Sequence, residues 1–214
     1  MINRELRKRI ITSVVLVAIV LNCLFINEYS WLFLLTIISL ICWSEFINLF
    51  KRIWKKNNIV IIPITISFLL LFVFLRTAYD IRVDFGEETI LFILLVCVFS
   101  DIGGYVVGKS IGGKKLTKIS PNKTVSGSIG SFLFSLFPAG ILSIFFFKVS
   151  EKDIILCLVL SLVCQLGDLI VSYFKRLAKV KDTGNILPGH GGMLDRIDGI
   201  IFAVPTLLIF NNLI

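Results

Sequence analysis

Residues 154–198 read IILCLVLSLVCQLGDLIVSYFKRLAKVKDTGNILPGHGGMLDRID. Residues 154–174 form an apolar run long enough for a helix to cross about 30 Å of hydrocarbon, which takes roughly 17–25 residues. The chemistry changes between Ser172 and Asp198. That stretch holds five basic residues, three aspartates, the single histidine of the protein and a Pro-Gly-His-Gly-Gly turn. A second apolar run follows. Ionisable groups at a membrane boundary are costly unless they face water or bind something, so this stretch is the first candidate for function.

The whole chain carries the same membrane signature. Of its 214 residues 57% are hydrophobic and only 17% charged, with mean hydropathy +0.94. Soluble domains carry about 25% charge. The apolar residues gather into seven expected spans, approximately 10–26, 31–50, 59–75, 89–107, 129–147, 154–174 and 197–210. Helices are expected throughout, because lipid offers no partner for open backbone groups. The expected fold is all-α: a polytopic helical bundle of about seven transmembrane helices in one membrane domain, residues 1–214. Residues 1–88 supply N-terminal spans and residues 89–214 carry the motifs. No small-residue cleavage site follows the first apolar run, so that run is expected to stay as a span.

With the N-terminus placed in the cytoplasm, 18 of the 22 basic residues fall on inside segments; only Arg76, Arg82, Lys148 and Lys152 fall outside. That asymmetry is the positive-inside pattern. It also accounts for the net charge of +8, and no groove-reading or base-stacking motif points to nucleic acid. The five cysteines all lie in apolar runs without CxxC spacing, so they read as small packed side chains.

The acids in or beside the spans are Glu45, Asp101, Asp168, Asp195 and Asp198. Glu45 reads equally as a site acid or as a structural acid paired with a neighbouring cation. Asp101 opens DIGGYVVGKSIGG, where Gly104 and Gly108 lie four apart and allow another helix to approach closely. Asp168, Ser172 and Lys175 recur on one helical face, with Arg176 adjoining. Asp195 and Asp198 project together if a helix begins near Leu194. Such acids at one boundary suit a hard cation such as Mg²⁺, and the surrounding cations suit a phosphate polyanion bound with it. The PGHGG turn offers backbone N–H groups to anionic oxygen, although a glycine-rich turn reads equally as a plain loop. His190 reads as a substrate contact or a turn cap. The loop KSIGGKKLTKISPNKTVSGSIG adds Lys123, Thr124 and Ser126 as substrate-binding candidates; it contains no P-loop.

The pattern Ser172, Lys175-Arg176, Lys181-Asp182, Gly184, Pro188, His190-Gly191-Gly192, Asp195-Arg196 and Asp198 resembles the C-terminal signature of phosphatidate cytidylyltransferases, the CDP-diacylglycerol synthases. SPNKTVSG and DIGGYVVGKSIGG are similar to segments of the same family. The resemblance covers about residues 95–205. It implies a polytopic helical bundle that transfers CMP from CTP to phosphatidate and releases pyrophosphate. It also implies Mg²⁺ as the metal, with Asp168, Asp195 and Asp198 as its ligands. The resemblance places Lys175, Arg176, Asp182 and Arg196 in the catalytic group. It places Ser172, Lys181, His190, Gly191 and Gly192, with Lys123, Thr124, Ser126 and Asp101, around the substrates. It further implies a bacterial inner-membrane protein with a cytoplasmic active site, CTP, phosphatidate and other membrane lipid as partners, and is compatible with a homodimer. Two other readings exist: a CTP-dependent polyprenol or phytol kinase, which would release CDP, and an organic-anion transporter. A transporter expects coupling acids near span centres, whereas here the charges crowd one face.

Overall fold

The computed structural model describes residues 4–55, 58–145 and 150–208. These residues fold as eight α-helices: α1 Arg4–Ile26, α2 Glu28–Ile53, α3 Ile61–Asp84, α4 Glu87–Ile111, α5 Val125–Ser135, α6 Phe137–Phe145, α7 Glu151–Leu177 and α8 Leu194–Ala203. Short 3₁₀ turns cover Asn58–Val60 and Val204–Leu208. No strand occurs among the described residues. Five helical segments are long and apolar enough to cross a bilayer: Leu6–Ile26, Glu28–Ile53, Asn58–Asp84, Glu87–Ile111 and Glu151–Leu177. The chain is an integral membrane protein.

The other two expected spans take a different form. The run over residues 129–147 is divided at Leu136 into α5 and α6. Pro138 explains the break: it has no N–H to continue the α5 ladder and its ring crowds the preceding turn. It is accommodated instead in the first turn of α6, where a missing N–H leaves no bond unmade. Leu136 N–H closes α5 with a long bond to the Leu133 carbonyl three residues back (3.4 Å). The final run begins three residues early, at Leu194, and tightens into a 3₁₀ turn around Pro205. Residues 146–147 and 209–210 of these expected spans lie outside the described residues.

The chain divides into two compact units. The first comprises residues 1–87 and 174–197. Within it α2 packs along α3 and α1 leans on α2. Leu24, Trp31, Leu35, Phe46, Leu49, Leu71, Phe74 and Ala78 form its apolar centre. Trp31 satisfies its indole N–H on the Ala78 carbonyl (3.1 Å). The α1–α2 turn is a single residue, Asn27, whose side chain caps α2 through Ser30 in a capping box. Phe50 meets Phe174 edge-on at 5.2 Å and so ties the end of α2 to the returning chain. Phe33, Leu40, Ile66 and Phe72 are exposed, as lipid-facing side chains are.

The second unit comprises residues 88–173 and 198–214. Its centre holds Ile90, Ile93, Val96, Leu156, Leu160, Val171, Ile201 and Val204. Glycines set how closely its helices approach. A Cβ on Gly127 would stand 2.7 Å from the Gly104 carbonyl and 3.3 Å from Gly108 Cα. A Cβ on Gly130 would stand 2.5 Å from Val107 Cβ. The close approach expected at Gly104 and Gly108 is therefore made, and α5 is the partner. Gly167 brings α7 against α8 in the same way, with its Cβ position 2.9 Å from the Asp198 carbonyl. Cys42, Cys97, Cys157 and Cys164 are buried free thiols, and Cys23 is a partly buried one.

A Gly130→Leu substitution forces side-chain atoms into the α4 backbone and should destabilise the second unit by about 1–3 kcal/mol. Gly140→Ala meets nothing within 4 Å and should be near neutral. Thermal unfolding in detergent checks both.

Candidate functional site

The stretch from Lys181 to Ile197 lacks regular structure up to Leu194, so its backbone N–H groups need partners supplied from elsewhere. Two carboxylates supply them. Glu45, on α2 and 2% exposed, accepts from the Met193 N–H (3.0 Å), the Leu194 N–H (2.9 Å) and the Thr183 hydroxyl (2.7 Å). Asp195, in the first turn of α8, accepts from the N–H groups of Thr183 (2.8 Å) and Gly192 (3.0 Å). Its other oxygen pairs with Lys175 Nζ at 2.9 Å. Both side chains of that pair are largely covered, at 11% and 5% exposure. A buried charge pair of this kind persists only when the remaining lone pairs are also bonded, as they are here.

The loop folds back on itself at PGHGG. Leu187, buried, exchanges backbone bonds with Gly191 (2.9 and 3.2 Å), and His190 N–H also bonds to the Leu187 carbonyl (2.9 Å). Gly189 and Gly191 take positive φ (77° and 90°) to make the turn. The turn's own folding thus uses the N–H groups of His190 and Gly191, and Asp195 takes that of Gly192. These N–H groups are therefore bonded within the loop, which agrees with the plain-loop reading of the turn as well as with a site whose side chains meet the ligand. An open cleft of about 560 Å³ is lined by Arg9, Lys181, Asp182, Asn185, His190 and Arg196, together with Gly191. Arg196 is aimed by bonds to the His190 carbonyl from Nη2 (2.6 Å) and Nε (3.2 Å). Ser13 Oγ on α1 lies 3.2 Å from His190 Nε2, and the Thr12 hydroxyl donates to the Pro188 carbonyl (3.1 Å). His190 Nδ1 is buried with no hydrogen-bond partner among the described residues. Three cations and an imidazole around one opening suit an anionic ligand. Arg176 is exposed, and its guanidinium makes a long contact to the Val180 carbonyl (3.5 Å).

The second unit holds its own polar cluster. Lys123 Nζ pairs with Asp168, and the Ser172 hydroxyl donates to the other Asp168 oxygen (3.1 Å). Asp101 lies within electrostatic reach of Asp168 and Lys123 and has Cys164 Sγ at 3.9 Å. Thr124 is the N-cap of α5, accepting from Gly127 N–H (3.1 Å), and Ser126 bonds to the Gly112 carbonyl. Both hydroxyls thus shape the loop before α5. Backbone bonds from Leu116 to Lys123 (2.8 Å) and from Val125 to Lys114 (3.0 Å) close that loop and place Lys123 beside Asp168.

Among the described residues, no three His, Cys, Asp or Glu side chains converge on a point that could hold a metal ion. Asp195 belongs to the first unit, Asp168 and Asp198 to the second. Asp195 has both oxygens engaged by Lys175, Thr183 and Gly192. Asp198 Oδ1 accepts from the Gly199 N–H (2.9 Å). Mg²⁺ needs only one or two protein carboxylates when water and phosphate fill its octahedron. Sequence reasoning left out Thr183, Asn185, Arg9 and Ser13, and left Glu45 undecided. Arg9 and Ser13 sit among Arg4, Arg7, Lys8 and Thr12 at the basic start of α1, where no local pattern sets them apart. The partners of Glu45 come from nearly 150 positions away.

A model of the cytidylyltransferase family matches residues 64–214. Among curated proteins, the phosphatidate cytidylyltransferase of Staphylococcus saprophyticus is 45% identical over 132 residues, which is 60% of this chain and 50% of that protein. The phosphatidate cytidylyltransferase of Bacillus subtilis is 46% identical over 131 residues, 58% of this chain and 47% of that protein. The chain spans about half the length of the curated relatives it matches.

The electrostatics of Asp195 give a test in pH. Burial by itself would raise this carboxyl, but the Lys175 ammonium and the N–H groups of Thr183 and Gly192 outweigh it and hold it below the ordinary value of 3.8. A folded value lowered in this way stabilises the protein fully above pH 3.8 and loses that contribution as pH falls through the folded value. Asp195→Asn, which strands the Lys175 charge, should cost about 3–5 kcal/mol near neutrality. The gap to the parent chain should narrow below pH 4 in thermal unfolding measured against pH.

Proposed function

The chain belongs to the cytidylyltransferase family, and we propose that it transfers CMP from CTP to phosphatidate, forming CDP-diacylglycerol and pyrophosphate. The observation that carries this reading is the cleft bearing Arg9, Lys181 and Arg196 beside Asp182, Asn185 and His190, built from the loop whose residues carry the family resemblance. In the proposed reaction a phosphatidate phosphate oxygen attacks the α-phosphorus of CTP in line. The new P–O bond forms as the bond to the β-phosphate breaks, and pyrophosphate leaves with that electron pair. Such transfers depend on positioning and on neutralising charge more than on covalent help. Lys181 and Arg196, with Arg9, are placed to hold phosphate oxygens at the cleft. Lys175 and Arg176 follow on α7. Lys175 is already paired with Asp195, so it acts through the loop it organises. Asp182 lines the same opening.

Asp168 and Asp198 are the proposed Mg²⁺ ligands; when bound, the ion supplies positive charge against the triphosphate. Lys123, ion-paired to Asp168, would release that carboxylate as metal and nucleotide arrive. Asp195, saturated by its present partners, holds the loop and the first turn of α8.

We further infer seven crossings, a cytoplasmic N-terminus and an active site on the cytoplasmic face of the bacterial inner membrane. The five long helices, the division of basic residues and the bacterial relatives support that arrangement. Phosphatidate would then reach the protein from the membrane and CTP from the water.

Purified protein incubated with labelled CTP, Mg²⁺ and phosphatidate should yield label in the lipid extract, with pyrophosphate released in equal amount. Label confined to the aqueous phase as CDP would overturn the reading. Asp195→Ala should lower turnover on the order of 10²-fold, because the loop it holds would misplace the groups at the cleft. Asp168→Ala and Asp198→Ala should raise the Mg²⁺ concentration needed for half-maximal rate. For topology, Asn185→Cys should react with an impermeant maleimide only after cells are opened, and Asp84→Cys should react in intact cells.

A further inference from the structure

We propose that Glu45 is a positioning residue for the transfer reaction. From α2, outside the residues matched by the family model, it sets the geometry of the loop that carries Lys181, Asp182 and His190 and of the turn that carries Asp195 and Arg196. This inference rests on the cytidylyl-transfer reading given above. Four observations carry it. The residues preceding α8 are Gly192 and Met193, neither of which has a side-chain oxygen to cap a helix, and the first N–H groups of any helix need acceptors. Glu45 provides that cap over a long range, to Met193 and Leu194, and its negative charge sits favourably at the positive end of the helix dipole.

The loop is also moulded to the carboxyl group. A Cβ at Gly184 would lie 2.6 Å from Glu45 Oε1, and one at Gly192 would lie 2.5 Å from Oε2. The two glycines therefore accommodate Glu45 as much as they accommodate the turn. Finally, the Thr183 hydroxyl has one proton and two carboxylates to serve, Glu45 at 2.7 Å and Asp195 at 3.1 Å. That shared donor couples Glu45 to Asp195 and, through Asp195, to Lys175. The hydrogen bonds of Glu45 among the described residues run to Thr183, Met193 and Leu194; it acts through the backbone that presents the cleft side chains.

The test uses full-length protein in detergent or nanodiscs and the variant Glu45→Gln, which keeps the shape but turns one acceptor into a donor facing N–H groups. Hydrogen exchange at residues 182–195 should rise at least tenfold while exchange in α3 is unchanged. The turnover number should fall about 10–100-fold, as sub-ångström misplacement of catalytic groups does, with KM for CTP changed less than threefold. Glu45→Asp should recover part of the turnover. Leu49→Ala, which opens a cavity one turn further along α2, serves as the control for general loosening. If Leu49→Ala lowers turnover per folded molecule as much as Glu45→Gln does, or if Glu45→Gln leaves loop exchange and turnover at parental levels, the proposal is overturned. Should Glu45→Gln not fold, Thr183→Val must show the same local exchange and the same turnover loss, and a parental result there overturns it equally. If the parental chain forms no CDP-diacylglycerol, the reaction reading fails, while the exchange measurement still decides whether Glu45 orders the loop.

Discussion

Two carboxylates, Glu45 and Asp195, close the polar loop before α8, and the remainder of the first unit's chemistry follows from them. An irregular loop beside a membrane-spanning bundle carries backbone donors that neither lipid nor apolar side chains can satisfy. Glu45 and Asp195 accept from four of those N–H groups and from the Thr183 hydroxyl. Lys175 then balances Asp195 with an ion pair in a place where an unpaired charge would be expensive. With its interior bonded in this way, the loop turns Lys181, Asp182, His190 and Arg196 outward to the cleft.

The second unit solves a related problem with different means. Its helices approach through glycines on α4, α5, α7 and α8, where no Cβ could be tolerated. Close backbone approach compensates for the weak driving force between apolar helices in lipid. It also leaves room for a polar cluster of Asp168, Lys123 and Ser172 at the end of the packed region. Thr124 and Ser126 belong to this architecture as the cap of α5 and the tie to Gly112. Their hydroxyls make the loop that delivers Lys123 to Asp168.

The places where the chain departs from a reading of its sequence share one cause. Hydropathy counts residues and does not see how a single proline redirects a ladder, so the run around Pro138 reads as one span and folds as two helices. Spacing marks PGHGG as a turn with free N–H groups, yet the turn's own closure on Leu187 uses them. The acids on α7 and α8 look interchangeable by type. Asp195, however, is occupied by N–H donors and Lys175, whereas Asp168 faces a lysine and a serine. Arg9 and Ser13 were passed over because nothing local distinguishes them from the basic start of a span.

Composition, the length of the apolar runs and the asymmetry of Lys and Arg were sufficient for an all-helical membrane protein, because each depends only on the cost of placing residues in lipid. The spacing of Gly104 and Gly108 foretold a helix crossing for a similar reason: periodicity along one helix determines which atoms share its face. The signature residues between Ser172 and Asp198 likewise pointed to the family. Tertiary structure alone decided which carboxylate organises the loop, which lysine meets which acid, and that a glutamate on α2 caps a helix nearly 150 residues away. Those outcomes depend on donors and acceptors brought together by folding, and no pattern along the chain encodes such a meeting.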